Sequence, residues 1–289
     1  LVKQAKVAGM PSEQTERFLK AGYAPLPWAM QVHAMARKAD DEDGPFWIGL
    51  GGARGPGKSH LSMAQLMDDC MRVPGLKALF LRKTKMSASE SLDDLVRRVF
   101  GNIEYSYAPS LGKIEFPNGS RILIGGYQNE NDIEKYIGIE YDVVVIEEAS
   151  QIGEDKIVKF RGSVRTSKAN WRTRIYLTTS PGGIGHSWFK KYIVGGREFI
   201  GGKTAFFPST YRDNPFLAKD YIDYLEAIPG QLGKAWRDGD FDVFAGQAFP
   251  QFSYVEHVVE PFIIPEHWYR WRGIDEGYTA PWCCLWAAR

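Results

Sequence analysis

The chain has 289 residues, of which 44% are hydrophobic and 25% charged, with a formal net charge of +1 at pH 7. These values belong to a globular protein with ample core, built as one large domain or two modest ones, and they exclude a disordered or low-complexity chain. A near-neutral balance also excludes a polyanion-binding footprint over the whole surface, so any nucleic-acid contact has to be a local patch.

Cys70 and the adjacent Cys283 and Cys284 have neither metal-ligand spacing nor a disulfide framework, which points to a reducing, cytosolic setting. No apolar run approaches the roughly 18 residues that span a bilayer. Position 1 is Leu rather than Met, so the sequence is expected to be a piece of a longer protein.

In chain order, a polar, helix-compatible start leads to "YAPLPWAMQ" (23–31), a proline-punctuated turn, and to a short helix over "VHAMARKA". The acidic run Asp40 to Asp43 reads as a solvated loop. "PFWIGLGG" (45–52) is a buried strand entering a glycine loop, "SHLSMAQLMDDCMR" (59–72) an amphipathic helix, and "KALFLRK" (77–83) a second buried strand. A helix follows over 89–100, and then a hairpin over 112–126, with Asn118-Gly119 between two alternating runs. "YDVVVIEEAS" (141–150) carries the continuous apolar run of a parallel strand buried on both faces, and "WRTRIYLTTSPGG" (171–183) is a strand ending in a turn. Strands alternating with helices predict an α/β domain with a mainly parallel sheet flanked by helices.

"GARGPGKS", Gly52 to Ser59, fits G-x-x-x-x-G-K-[ST] with a strand before it and a helix after it. Glycines at this spacing let backbone N–H groups of Gly52, Ala53, Arg54, Gly55 and Gly57 surround phosphate, with Pro56, which has no N–H, in the same nucleotide-binding loop, and the helix N-terminus adds partial positive charge. Lys58 would reach the β and γ phosphates of ATP, and Ser59 would ligate Mg²⁺. "VVVIEE" delivers Glu147 and Glu148 to the C-terminal end of a buried strand, where ligands collect in open α/β sheets. There Glu147 suits metal binding and Glu148 suits deprotonation of an attacking water. In "TTSPGG", Thr179 or Ser180 is placed to sense the γ-phosphate. A phosphate loop alone does not separate a hydrolase from a kinase, a helicase or a passive nucleotide-binding subunit. The second acid favours the hydrolase.

These elements, in this order, resemble the large terminase subunit of tailed bacteriophages over most of the chain. "GGARGPGKS" looks like that family's arginine-containing Walker A, "YIGIEYDVVVIEEASQI" like its Walker B, and "TTSPGGIGHSWFKKYI" like its coupling motif. "STYRDNPFL" (209–217), "AWRDGDFDVFAGQAFPQF" (235–252) and "WRGIDEGYTAPWCCLW" (271–286) resemble its lid, linker and the start of its nuclease. The resemblance implies an ASCE-type P-loop ATPase domain over 1–208, with an extra strand between those bearing Walker A and Walker B. It further implies a small lid and linker over 209–264 and the beginning of an RNase H-like nuclease over 265–289.

By the same resemblance Gln31 reads adenine, Arg54 acts near the phosphates during hydrolysis, and Asp275 is the first nuclease aspartate. Only residues 276–289 follow Asp275, too few to complete a site that holds two Mg²⁺ or Mn²⁺ ions, so no cleavage is expected from this stretch. The region before Walker B offers Lys135 and no arginine, which leaves an arginine supplied by a neighbouring subunit unassigned. Implied partners are double-stranded DNA, the portal protein, the small terminase subunit and further copies in a ring on the procapsid. The implied setting is the host bacterial cytoplasm, not the mature virion and not a membrane.

Residues 156–174 carry Lys156, Lys159, Arg161, Arg165, Lys168, Arg172 and Arg174 and no acid. This is the best local candidate for DNA-backbone contact or for an electrostatic subunit interface, with a plain solvated surface as the alternative.

Overall fold

The computed structural model describes residues 1–83, 89–243, 257–276 and 283–289, with 89–91 in backbone only. The chain divides into two compact units, Leu1–Pro250 and Gln251–Arg289. The C-terminal part of the linker string, from 244 on, and residues 277–282 of the nuclease string lie outside the described residues.

In the first unit, eight strands form one sheet: β1 (Trp47–Gly52), β2 (Lys77–Lys83), β3 (Ser106–Ala108), β4 (Lys113–Glu115), β5 (Arg121–Tyr127), β6 (Val143–Ile146), β7 (Arg174–Thr179) and β8 (Thr204–Ser209). Their spatial order is β3-β4-β5-β2-β6-β7-β1-β8. The pairings from β5 through β8 are parallel, and β3, β4 and β5 pair antiparallel around Asn118-Gly119. β7 thus lies between the strand that enters the glycine loop and the strand that delivers the two acids.

Side-chain alternation splits the core into two layers. Ile48, Leu50, Ala78, Phe80, Val143, Val145 and Tyr176 face one side, under α1 (Val2–Val7), α2 (Ser12–Ala21), α3 (Pro27–Lys38), α4 (Lys58–Arg72) and α5 (Ser89–Phe100). Trp47, Leu79, Leu81, Val144, Ile146, Ile175 and Leu177 face the other, against α6 (Glu154–Arg161) and α7 (His186–Trp188), which continues as a π turn over Phe189–Val194. Period-2 strands buried on both faces explain why VVVI of β6 is apolar throughout. Residues 209–243 pack in this same unit, with α8 (Lys219–Ala227) and α9 (Gly230–Gly233) around the small cluster of Tyr211, Leu225 and Ile228.

Three expectations need correction. The proline string at 23–31 is not all turn: Pro27 occupies the first turn of α3, where a missing N–H costs nothing. β8 is an additional strand that sequence reading passed over. Among the described residues it is an edge strand pairing only with β1, which is where Pro208 is tolerated. The acidic run is not all solvated, because Asp40 pairs with Arg174, with Arg72 at 3.0 Å and with Arg37 at 3.6 Å.

α4 also carries two adjacent carboxylates, Asp68 and Asp69, with no exposure. Arg17, 2.6 Å from Asp68, and Arg37, against both acids, neutralise them, with Gln14, Gln65 and the Tyr176 hydroxyl as further donors. This network ties α2, α3 and β7 to α4, the helix that follows the glycine loop.

The second unit shows a hairpin of β9 (Arg270–Asp275) and β10 (Cys283–Ala288), in which Asp275 opposes Cys283. Glu276 follows Asp275 directly. All three cysteines are free thiols, and among the described residues no helix is long and apolar enough to cross a membrane.

Candidate nucleotide site

The glycine loop spans from the end of β1 to the start of α4. Gly57, which caps the helix, has φ +90°, a conformation that residues bearing a Cβ rarely adopt. The loop is backed by the end of β8 and the segment after it. Ala53 N–H donates to the Ser209 carbonyl at 3.0 Å, Arg54 N–H to the Trp236 carbonyl at 2.7 Å, and the Asn214 amide to the Gly55 carbonyl at 2.8 Å. Contact is so close at Gly239 that a Cβ there would lie 2.5 Å from Ala53 N.

Lys58 and Ser59 open α4 with their side chains in a cleft of about 580 Å³. Arg54, Arg82, Arg98, Glu148, Ser180, Asn214 and Tyr221 also line this cleft. The Lys58 ammonium donates to the Ala53 carbonyl at 2.5 Å and lies 3.4 Å from the Ser180 hydroxyl. Burial pulls its pKa down to about 8 against the opposing pull of Glu148 and Glu147, and Arg54 lowers it further.

The Ser59 hydroxyl donates to the Glu147 carboxylate, whose other oxygen is 3.4 Å from Arg82. Glu147 is buried, and burial raises its pKa despite both partners. Glu148, by contrast, is exposed to the cleft. A serine hydroxyl beside a carboxylate is an all-oxygen donor pair, which fits a hard divalent cation such as Mg²⁺.

Thr179 ends β7 and Ser180 follows it, next to this cleft, and the two face different partners. Ser180 reaches Lys58, whereas the Thr179 hydroxyl is buried 2.6 Å from that of Ser150, just beyond Glu148. Downstream, Gly182 N–H donates to His186 Nδ1 at 3.0 Å. His186 Nε2 therefore carries the proton and donates to the Phe241 carbonyl at 3.0 Å. The turn after β7 is thereby bonded to the segment that follows α9.

The structure brings together Gly52 to Ser59, Glu147, Glu148, Thr179 and Ser180. Gln31 is exposed on α3 and is not among the side chains lining the cleft or the adjoining apolar slot of Tyr23, Leu26, Trp28, Pro56, Leu61 and Phe216. Asp275 lies in the second unit, on a fully exposed strand.

The basic run is not one continuous face. Arg174 is fully buried, paired with Asp40 and bonded to the Ala36 carbonyl, so it is no DNA contact. Lys156 is 2.6 Å from Glu134, Arg165 is 3.7 Å from Glu140, and Arg161 lies over the Phe46 ring at 3.8 Å. Lys159 and Arg172 are exposed.

Sequence reading missed Arg82, Tyr127, Ser150 and Trp236. Their signals were weak: each is a single polar or aromatic residue outside any motif pattern, with a partner far away in the chain. The Arg54 guanidinium lies only 3.2 Å from the centre of the Trp236 ring.

A glycine loop between β1 and α4, β7 inserted between β1 and β6, and paired acids ending β6 define a P-loop nucleotide-binding fold of the ASCE type. Residues 47–237 match the family described as phage terminase large subunit, and the chain belongs to that family. The terminase large subunit of Escherichia phage T5 is 29% identical over 186 residues, which cover 60% of this chain and 40% of that protein.

Among solved structures, the large terminase of a thermophilic bacteriophage in complex with ATP-gamma-S superposes with a TM-score of 0.61 at 18% identity. That match covers 91% of this chain and 64% of the other. The large terminase ATPase domain of Thermus phage P74-26 superposes with a TM-score of 0.52 at 16% identity, covering 78% of this chain and 96% of that domain. The chain therefore spans under two thirds of the T5 protein and of the thermophilic-phage protein bound to ATP-gamma-S.

Proposed function

We propose that this chain is the ATP-hydrolysing motor portion of a terminase that drives double-stranded DNA into procapsids. The observation that carries the reading is the meeting of Lys58, Ser59, Glu147, Glu148 and Ser180 in one cleft, in a chain of this family. On this reading residues 1–208 form the ATPase domain, 209–264 the lid and linker, and 265–289 the start of a nuclease.

In the proposed reaction the loop N–H groups and Lys58 bind the β and γ phosphates of ATP, and Lys58 gives up the Ala53 carbonyl for them. Ser59 and Glu147 would hold Mg²⁺, which when bound would neutralise phosphate charge. Glu148 takes a proton from the attacking water as ADP and phosphate form. Ser180, beside Lys58, registers loss of the γ-phosphate, and the bonds through Gly182, His186 and Phe241 carry that change toward the linker. Lys159, Arg165 and Arg172 are the exposed members of the basic run and the ones best placed for DNA-backbone contact. Portal protein, small terminase subunit and further copies of the chain complete the assembly in the host bacterial cytoplasm, and this chain is not retained in the mature virion.

The test is ATP turnover against protein concentration, with and without duplex DNA. Turnover per chain should rise steeply with concentration and rise again with DNA, because a ring motor completes its sites between copies. A flat concentration profile together with DNA-independent turnover would sink the motor reading.

A separate expectation concerns Arg54. To act near the phosphates its guanidinium has to leave Trp236, and a stacked cation so close to an indole alters its emission. Arg54→Ala should lower turnover by about 10²-fold with ATP binding largely kept, as expected for loss of one stabilising charge in the transition state. In a variant retaining Trp236 as the reporting indole, ATP should change its fluorescence, and Arg54→Ala should abolish that change. Normal turnover in Arg54→Ala would place the catalytic arginine elsewhere.

A further inference from the structure

Glu148 is one of two non-glycine residues with positive φ among the described residues, at φ 52° and ψ 44°. A side chain with a Cβ is sterically disfavoured there, so the conformation persists only where its surroundings impose it. Two contacts are on hand to do so. Gln151 N–H donates to the Glu148 carbonyl at 2.8 Å. The Tyr127 hydroxyl lies 2.7 Å from the Glu147 carbonyl and 3.0 Å from that of Glu148, a donor shared between successive peptide groups.

Tyr127 is the last residue of β5 and pairs with Lys83 of β2. β2 separates β5 from β6, so the phenol reaches past the end of one strand to grip the turn beyond the next. Its ring is 1% exposed, packed in the core layer with Leu81, Ile133, Ile146 and Ala149. Burial and the two nearby carboxylates raise the phenol pKa, which keeps it a donor at any physiological pH.

We propose that Tyr127 is a positioning residue for hydrolysis: its hydroxyl clamps the Glu147 and Glu148 carbonyls, holds the Glu148 backbone in its left-handed conformation, and so aims the Glu148 carboxylate into the cleft. The proposal rests on the reading of Glu148 as the base. Without the hydroxyl, the Glu147 carbonyl loses this donor, and the peptide is free to relax toward ordinary φ values, swinging the carboxylate away from the water it serves. Phenylalanine fills the same volume, so the packing beneath the turn is preserved.

The experiment compares Tyr127→Phe, Glu148→Gln and the double variant, measuring single-turnover ATP hydrolysis with duplex DNA, binding of a fluorescent ATP analogue, and the thermal midpoint. Tyr127→Phe should lower the hydrolysis rate by about tenfold or more, since small displacements of a catalytic group carry penalties of that size. Analogue affinity should stay within about twofold of the parent, and the double variant should be no slower than Glu148→Gln, because residues acting as a unit are not additive. The proposal is overturned if Tyr127→Phe hydrolyses at the parental rate, if binding and thermal midpoint fall in step with the rate, or if its penalty appears in full on top of Glu148→Gln. Parental turnover in Glu148→Gln would instead remove the base assignment and this proposal with it. An inactive Glu148→Gln beside a normal Tyr127→Phe removes only the clamp.

Discussion

Lys58→Ala is expected to weaken ATP binding by roughly 10²-fold and to bring turnover to background, since charge-assisted bonds to phosphate are the strongest single contacts such a site makes. Without ligand the ammonium bonds a loop carbonyl and lies close to Glu147 and Glu148, in surroundings whose burial outweighs those carboxylates. The folded-state pKa of about 8 is below the ordinary 10.5, so folding disfavours the charged form. That penalty is fully present below pH 8 and is relieved as pH rises toward 10.5, so Lys58 makes stability rise with pH across this window. Alanine removes the penalty and should flatten the trend.

ATP has the opposite preference, because its phosphates favour the ammonium. Binding above pH 8 should therefore take up a proton, and affinity should fall by up to about tenfold per pH unit. Titration calorimetry in buffers of different ionisation enthalpy at about pH 7 and about pH 9 measures both effects. Equal proton uptake at the two pH values would mean that Lys58 does not meet the phosphates.

Glu148→Gln should lower the hydrolysis rate by about 10² to 10⁴-fold, the range found for loss of a general base. The amide keeps the shape of the side chain and its backbone bonds to Tyr127 and Gln151, but it cannot accept the water's proton. ATP affinity should remain within a few-fold, because Lys58, Ser59 and Glu147 are untouched. Rapid-quench hydrolysis alongside direct binding separates the two quantities, and parental turnover in Glu148→Gln would refute Glu148 as the base.

Elements with local causes were legible at once. The glycine loop announces itself because its spacing, the strand before it and the helix after it are all short-range properties. The bounds of β2 and α5 follow from apolar periodicity to the residue. The start of α3 was misread because Pro27 punctuates a turn and opens a helix equally well, and β8 was passed over because an edge strand with a proline lacks the strand signal. The basic run shows a limit of another kind. Seven cations without an intervening acid read as a surface, yet Arg174 is buried and meets the half-buried Asp40 across 134 residues of chain.

From residue order alone came the α/β class, the phosphate loop, the paired acids and the family resemblance, all encoded by neighbours along the chain. Tertiary structure alone decided which groups meet in the cleft. Lys58 and Ser180 are 122 residues apart and are joined because β1 and β7 pair in parallel with their C-terminal ends together. Arg54 rests on Trp236, and Tyr127 reaches the Glu147–Glu148 turn, because the strand order and the packing of the segment after β8 bring distant element ends to one side of the sheet. Such pairings depend on which strands become neighbours, a choice made by the free energy of the whole core and written in no single stretch of sequence.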